Sequence, residues 1–130
     1  MELTIHPSAY LNWQGCTEPV DVKAALKKDF ELKDRDTGAF VILAALYDYS
    51  NYHGYAFVLL WDAAAGALFE VNAEHCSCTG LEGRWAPEPV NFSALQMRNS
   101  FAYCDDAKVR EAILEAAWVV TGGDCPQGAA

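Results

Sequence analysis

Two uninterrupted apolar runs constrain this chain more than anything else in it. Residues 39–47 read Ala-Phe-Val-Ile-Leu-Ala-Ala-Leu-Tyr, and residues 55–61 read Tyr-Ala-Phe-Val-Leu-Leu-Trp. Runs this short, bounded by turn residues and without polar alternation, predict strands buried on both faces. Between them, residues 48–54 form a turn rich in Tyr, Asn and Gly, and Asp62-Ala63-Ala64-Ala65-Gly66 makes a second hairpin connection. Residues 67–72 alternate, with Leu68, Glu70 and Asn72 on one side and Ala67, Phe69 and Val71 on the other, which predicts a half-exposed strand nearer the sheet edge. Three strands joined by such short turns make an antiparallel meander.

Helical periodicity brackets the strands. Over residues 20–32, Val22, Ala25, Leu26 and Phe30 recur at three-to-four spacing while Lys23, Lys27 and Lys28 point outward. Residues 33–38 read as a polar turn, and Ala86-Pro87-Glu88-Pro89 as extended loop. Ser93 with Gln96 three residues on has the form of a capping box opening a short helix. Asp105 or Asp106 caps a last helix over residues 107–121. Its buried stripe is Val109, Ile113, Ala116, Ala117 and Val120; Lys108, Arg110, Glu111 and Glu115 form its wet face. Residues 3–5 form a short extended piece. The predicted fold is α+β: an antiparallel sheet of three or more strands with two or three helices on one face, a second helix layer being allowed by the two doubly apolar strands. With 130 residues and 52% hydrophobic content, one globular domain over residues 1–121 is expected, followed by a mobile tail at 122–130.

Charge narrows the partners. The chain carries a net charge of -9. Residues 1–38 hold seven acids and five bases, and residues 39–130 hold eleven acids and four bases. From Thr37 to Gly83 there is no Lys or Arg, while Asp48, Asp62, Glu70, Glu74 and Glu82 lie inside that stretch. Direct binding of nucleic acid is not expected, because phosphate contacts draw on Lys and Arg. A host protein or ribonucleoprotein complex with a basic surface is the expected partner. No apolar run is long enough to span a membrane, and the start of the chain lacks the basic and apolar blocks of a signal peptide. Five cysteines, Cys16, Cys76, Cys78, Cys104 and Cys125, without such a signal place the chain among reduced proteins of the cytoplasm.

Residues 75–85, His-Cys-Ser-Cys-Thr-Gly-Leu-Glu-Gly-Arg-Trp, are the densest functional mixture. His75, Cys76 and Cys78 offer one arm of a zinc site, whose second arm would come from Cys16, Cys104 or His53. The other reading is a tight loop packed under Trp85. Thiol catalysis at Cys76 or Cys78 would need His75 or His53 as base, and His75, its neighbour on a strand, points away from Cys76. No phosphate loop, nucleophile elbow or carboxylate pair is present, so no catalytic residue is assigned. The turn Tyr47-Asp48-Tyr49-Ser50-Asn51-Tyr52-His53-Gly54-Tyr55 supplies aromatic anchors of the kind enriched at interfaces. If it meets the 75–85 segment, Asp48, Tyr49, Tyr52, Glu74, His75, Glu82, Arg84 and Trp85 form one acidic, aromatic partner-binding face.

The segment from Gly54-Tyr55-Ala56-Phe57 through Leu68-Phe69-Glu70-Val71-Asn72 to residues 75–85 and Pro87-Glu88 resembles a family of small phage and prophage proteins. These carry a His-Cys-Ser-Cys-x-Gly-Leu-Glu-Gly-x-Trp motif after a strand ending in Glu-Val-Asn or Glu-Val-His. The resemblance covers residues 47–95, and Thr79 stands where an aromatic residue is commoner. It implies a viral or mobile-element setting rather than a reaction. Small acidic proteins of that setting often inhibit host defence complexes by occupying a basic nucleic-acid channel, so the expectation is a non-enzymatic, anti-CRISPR-like inhibitor. The alternative is a zinc-stabilised or thiol-dependent protein centred on His75, Cys76 and Cys78.

Overall fold

The computed structural model describes residues 19–38, 40–50, 52–77, 79–101 and 107–122, with the side chains of residues 19–21, 49 and 50 excepted. The expected strand at 3–5, the Asp105 or Asp106 cap, the tail beyond Gly122, and Cys16, Cys78, Cys104 and Cys125 lie outside the described residues.

The element order is α1 (Pro19–Asp29), α2 (Asp34–Thr37), β1 (Phe40–Ser50), β2 (His53–Asp62), β3 (Ala67–Cys76), β4 (Glu88–Val90), α3 (Phe92–Gln96) and α4 (Ala107–Thr121). The strands form one antiparallel sheet in the order β1-β2-β3-β4. This is the expected α+β meander, with a fourth strand added. Glu88-Pro89-Val90 read as loop because proline cannot donate to a ladder, yet an edge strand tolerates that loss on its outer side. With β4 beside it, β3 is an interior strand and not the edge its alternation predicts. Residues 33–38, expected as a turn, wind into α2, where Asp36 Oδ2 accepts from the Lys33 backbone N–H at 2.8 Å. The short helix is capped by Asn91, whose Oδ1 accepts from the Ala94 N–H at 2.8 Å, in place of the expected Ser93.

Both faces of the sheet are covered. On one, Ile42, Ala45, Ala56, Val58, Leu60 and Val71 pack with Val22, Leu26 and Phe30 of α1 and its C-terminal end, and with Leu81 of the loop after β3. On the other, Leu43, Ala44, Leu46, Phe57, Leu59 and Leu68 pack with Phe92 and Leu95 of α3, Phe101, and Val109, Ala112, Ile113, Ala116 and Ala117 of α4. Two apolar faces are the reason the runs show no alternation. A bulge between Ile42 and Ala44 sets Leu43 and Ala44 together toward α4 and restores pairing for the rest of β1. Each fully buried Leu, Val or Phe in these layers contributes about 1.5–3 kcal/mol of burial free energy. No helix among the described residues is long and apolar enough to cross a membrane.

Candidate functional site

The ends of β1, β2 and β3 that meet at the Tyr52 turn carry most of the expected functional residues, and their register decides which of them share a surface. Asp48, Tyr55 and Glu74 are cross-strand partners in one row; Tyr49, Gly54 and His75 form the next; Ser50, His53 and Cys76 form the last. Successive residues of a strand point to opposite faces. Asp48, His53, Tyr55, Glu74 and Cys76 therefore lie on the side of the sheet that carries α3 and α4, and His75 on the side of α1. The single acidic, aromatic face expected from sequence is divided: Asp48 and Glu74 lie on one side, His75 on the other.

His75 is buried, with 4% of its surface exposed. Its ring lies over Gly54, where an added Cβ would come within 2.2 Å of Nε2. Nδ1 stands 2.8 Å from the Cys76 carbonyl oxygen, and Nε2 stands 2.6 Å from the Tyr47 hydroxyl. A carbonyl only accepts, so Nδ1 donates to the Cys76 carbonyl, and Nε2 is engaged by the Tyr47 hydroxyl. Both nitrogens are thereby committed, and neither presents a lone pair to a metal. Cys76 follows on the opposite face, half-buried, with its sulfur 3.9 Å from the Thr79 hydroxyl. Of the expected zinc arm, His75 and Cys76 point to opposite faces of the sheet, and Cys78 lies outside the described residues. Among the described residues no group of three or more His, Cys, Asp or Glu is placed to hold a metal.

The Gly-Leu-Glu-Gly-Arg-Trp stretch works as a clasp. Leu81 is buried in the α1-side core, and Trp85 meets Phe30 edge-on with ring centroids 5.1 Å apart. The Glu82 carboxylate accepts from the Gly80 N–H at 3.1 Å, and Arg84 Nε donates to the Gly80 carbonyl at 3.1 Å. Gly80 leaves room for the Glu82 carboxylate, whose Oε2 would lie 2.5 Å from an added Cβ, and Gly83 takes φ +79. Glu82 and Arg84 remain exposed, but their bonds hold the loop, and Trp85 serves the core more than the surface.

Asp48, Glu74 and Tyr52 are outward, and the expected Tyr49 side chain lies outside those described. Asp48 and Glu74 are exposed. Tyr52 stands at the hairpin tip with 77% of its surface exposed and a backbone φ of +64. That left-handed conformation costs a non-glycine residue about 1–2 kcal/mol, a kind of strain found disproportionately at functional positions.

Sequence reading missed an ion pair between the layers. Glu70 is 6% exposed, on the face packed by α3 and α4. It is held by both terminal nitrogens of Arg98, one at 2.8 Å, and by the Asn72 amide at 2.8 Å. Burial pushes its carboxyl pKa up, but the Arg98 and Asn72 hydrogen bonds and the Arg98 charge outweigh burial and leave it below the usual range. Arg110, expected on the wet face of α4, donates to the Arg98 and Gln96 carbonyls at 2.8 and 2.7 Å and ties α4 to the end of α3. The available signal was an acid set between Phe69 and Val71 on the side that buries Leu68.

At the opposite end of the sheet a cleft of about 390 Å³ is lined by Trp61, Leu68, Val90 and Val120, with Asn91 and Thr121 as polar members. None of the described residues that line it is titratable. Compared with known protein families, curated proteins and solved structures, the chain matches none.

Proposed function

We propose that this chain is a non-enzymatic, acidic binding protein that blocks a basic surface of a host protein or ribonucleoprotein complex that targets nucleic acid, in the manner of an anti-CRISPR protein. The observation that carries the reading is the charge of the sheet. β1, β2 and β3 contain no Lys or Arg. Of their acids, Glu70 is spent on Arg98, while Asp48 and Glu74 flank Tyr55 on the surface beside the projecting Tyr52. Carboxylates interleaved with tyrosine suit a partner rich in Lys and Arg, because aromatic rings add cation–π attraction to the Coulomb term. The resemblance to phage and prophage proteins supports a host-defence complex as the partner.

The test is a tagged pull-down from host lysate followed by binding of the identified complex at rising salt. Capture of a nucleic-acid-targeting complex is expected, lost in an Asp48→Lys, Tyr52→Ala, Glu74→Lys variant that stays folded. Affinity should fall between 0.1 M and 1 M salt, where the screening length drops from about 10 Å to about 3 Å. Affinity unchanged over that range removes the charge-based reading.

A further inference from the structure

Strand register gives the acidic, aromatic end of the sheet a definite width and shape. Asp48 of β1, Tyr55 of β2 and Glu74 of β3 are successive cross-strand partners in one row. Neighbouring strands lie about 4.8 Å apart, so the two acids stand with their Cβ atoms roughly 9–10 Å apart and Tyr55 between them. Both acids are exposed, and Tyr55 is half-buried. His53, two residues before Tyr55 and on the same face, is exposed too. The two rings are stacked along β2, with centroids 5.7 Å apart and planes 18° from parallel. The face therefore offers a stack of flat rings with one carboxylate on either side.

Width and planarity decide which cation fits. A guanidinium donating from two of its nitrogens, each at about 2.7–2.9 Å, spans carboxylate oxygens about 8 Å apart, whereas an ammonium donates from one nitrogen and spans at most about 5.5 Å. Side chains stand roughly perpendicular to a sheet, which keeps the two carboxylates near the spacing of their Cβ atoms. The guanidinium is also flat, weakly hydrated and able to continue a stack of parallel rings, while the ammonium is a compact, strongly hydrated point charge. Resting on the reading of a basic partner, we propose that this face recognises an arginine side chain of an arginine-rich protein segment, which bridges Asp48 and Glu74 with its plane on the Tyr55–His53 stack. The molecule uses the same chemistry internally, where both terminal nitrogens of Arg98 grip the Glu70 carboxylate. Lysine engages one carboxylate at a time and gains less from the rings, so equal positive charge does not give equal affinity.

The experiment titrates the full chain at low salt with hexa-arginine and with hexa-lysine, which carry equal charge, and reads calorimetry and backbone amide NMR shifts together. Hexa-arginine should bind about tenfold more tightly, a margin set by one cation–π contact and one further carboxylate contact. The largest shifts should fall at Asp48, His53, Tyr55 and Glu74. Asp48→Asn and Glu74→Gln, both at exposed positions, should each remove most of the preference for arginine. Tyr55→Phe should keep it because the ring remains, and Tyr55→Leu with unchanged far-ultraviolet circular dichroism should weaken it. Equal affinity of the parent for the two peptides, shifts centred elsewhere, or a preference that survives both acid substitutions would overturn the arginine site and leave the basic-partner reading standing. Binding of neither peptide would remove both.

Discussion

Replacing Gly54 with alanine tests whether the His75 ring dictates the residue beneath it. An alanine Cβ would lie 2.2 Å from Nε2, 2.7 Å from Cε1 and 2.8 Å from Cδ2 of His75. Three ring atoms inside 3 Å leave no small adjustment that relieves the clash, so the ring must move off its 2.6 Å bond to Tyr47. Leaving those buried polar atoms unmatched costs about 1–3 kcal/mol, and forcing the ring into the packed layer adds about 1–3 kcal/mol. Alanine recovers roughly 0.5–1 kcal/mol over glycine in a strand. The expected net loss is about 1–5 kcal/mol, read as a lower urea midpoint at unchanged slope. The decisive comparison is the same substitution in a His75→Ala background, where the clash is gone and Gly54→Ala should be neutral or slightly stabilising. Equal losses in the two backgrounds would show that something other than the ring requires glycine, and the account of this row would be wrong.

Arg98→Met should cost about 2–3 kcal/mol by stranding the buried Glu70 carboxylate, somewhat below a fully buried pair because Arg98 is about a third exposed. Glu70 also sets an acid limit: its folded pKa is lowered, so its stabilisation is present above the ordinary value of 4.5 and is lost as pH falls below that and through the folded value; a melting series from pH 6 to pH 3 should lose this component in Glu70→Gln. Thr37 buries a hydroxyl that has no hydrogen-bond partner among the described residues, so Thr37→Val should be neutral or stabilising by up to about 1–2 kcal/mol, checked by thermal melting. Tyr52→Gly should stabilise the fold by about 1 kcal/mol by relieving its positive φ, while weakening capture of the basic partner; unchanged capture would remove Tyr52 as an anchor.

Much of the fold was legible because strand burial and helix faces are written in local pattern. The apolar runs place β1 and β2 to within a few residues, and the stripe of Val109, Ile113, Ala116 and Ala117 places α4 and its buried side. The alternation of residues 67–72 assigned side chains to faces correctly but not the strand's place in the sheet, because that depends on β4, a partner its own residues do not reveal. The candidate site was legible in composition only: Asp48, Tyr52 and Glu74 were expected at a surface and lie there.

By itself the sequence determined a meander with two apolar faces, an acidic sheet without Lys or Arg, and a glycine-rich loop needing a fixed shape. Tertiary structure alone decided that His75 turns inward onto Gly54 while Cys76 faces His53, that Trp85 closes on Phe30, and that Glu70 meets Arg98 28 residues away. The reason is one of range. Burial preference belongs to each residue and its near neighbours, whereas a contact between two polar side chains exists only once strand register and loop closure have brought distant backbone together.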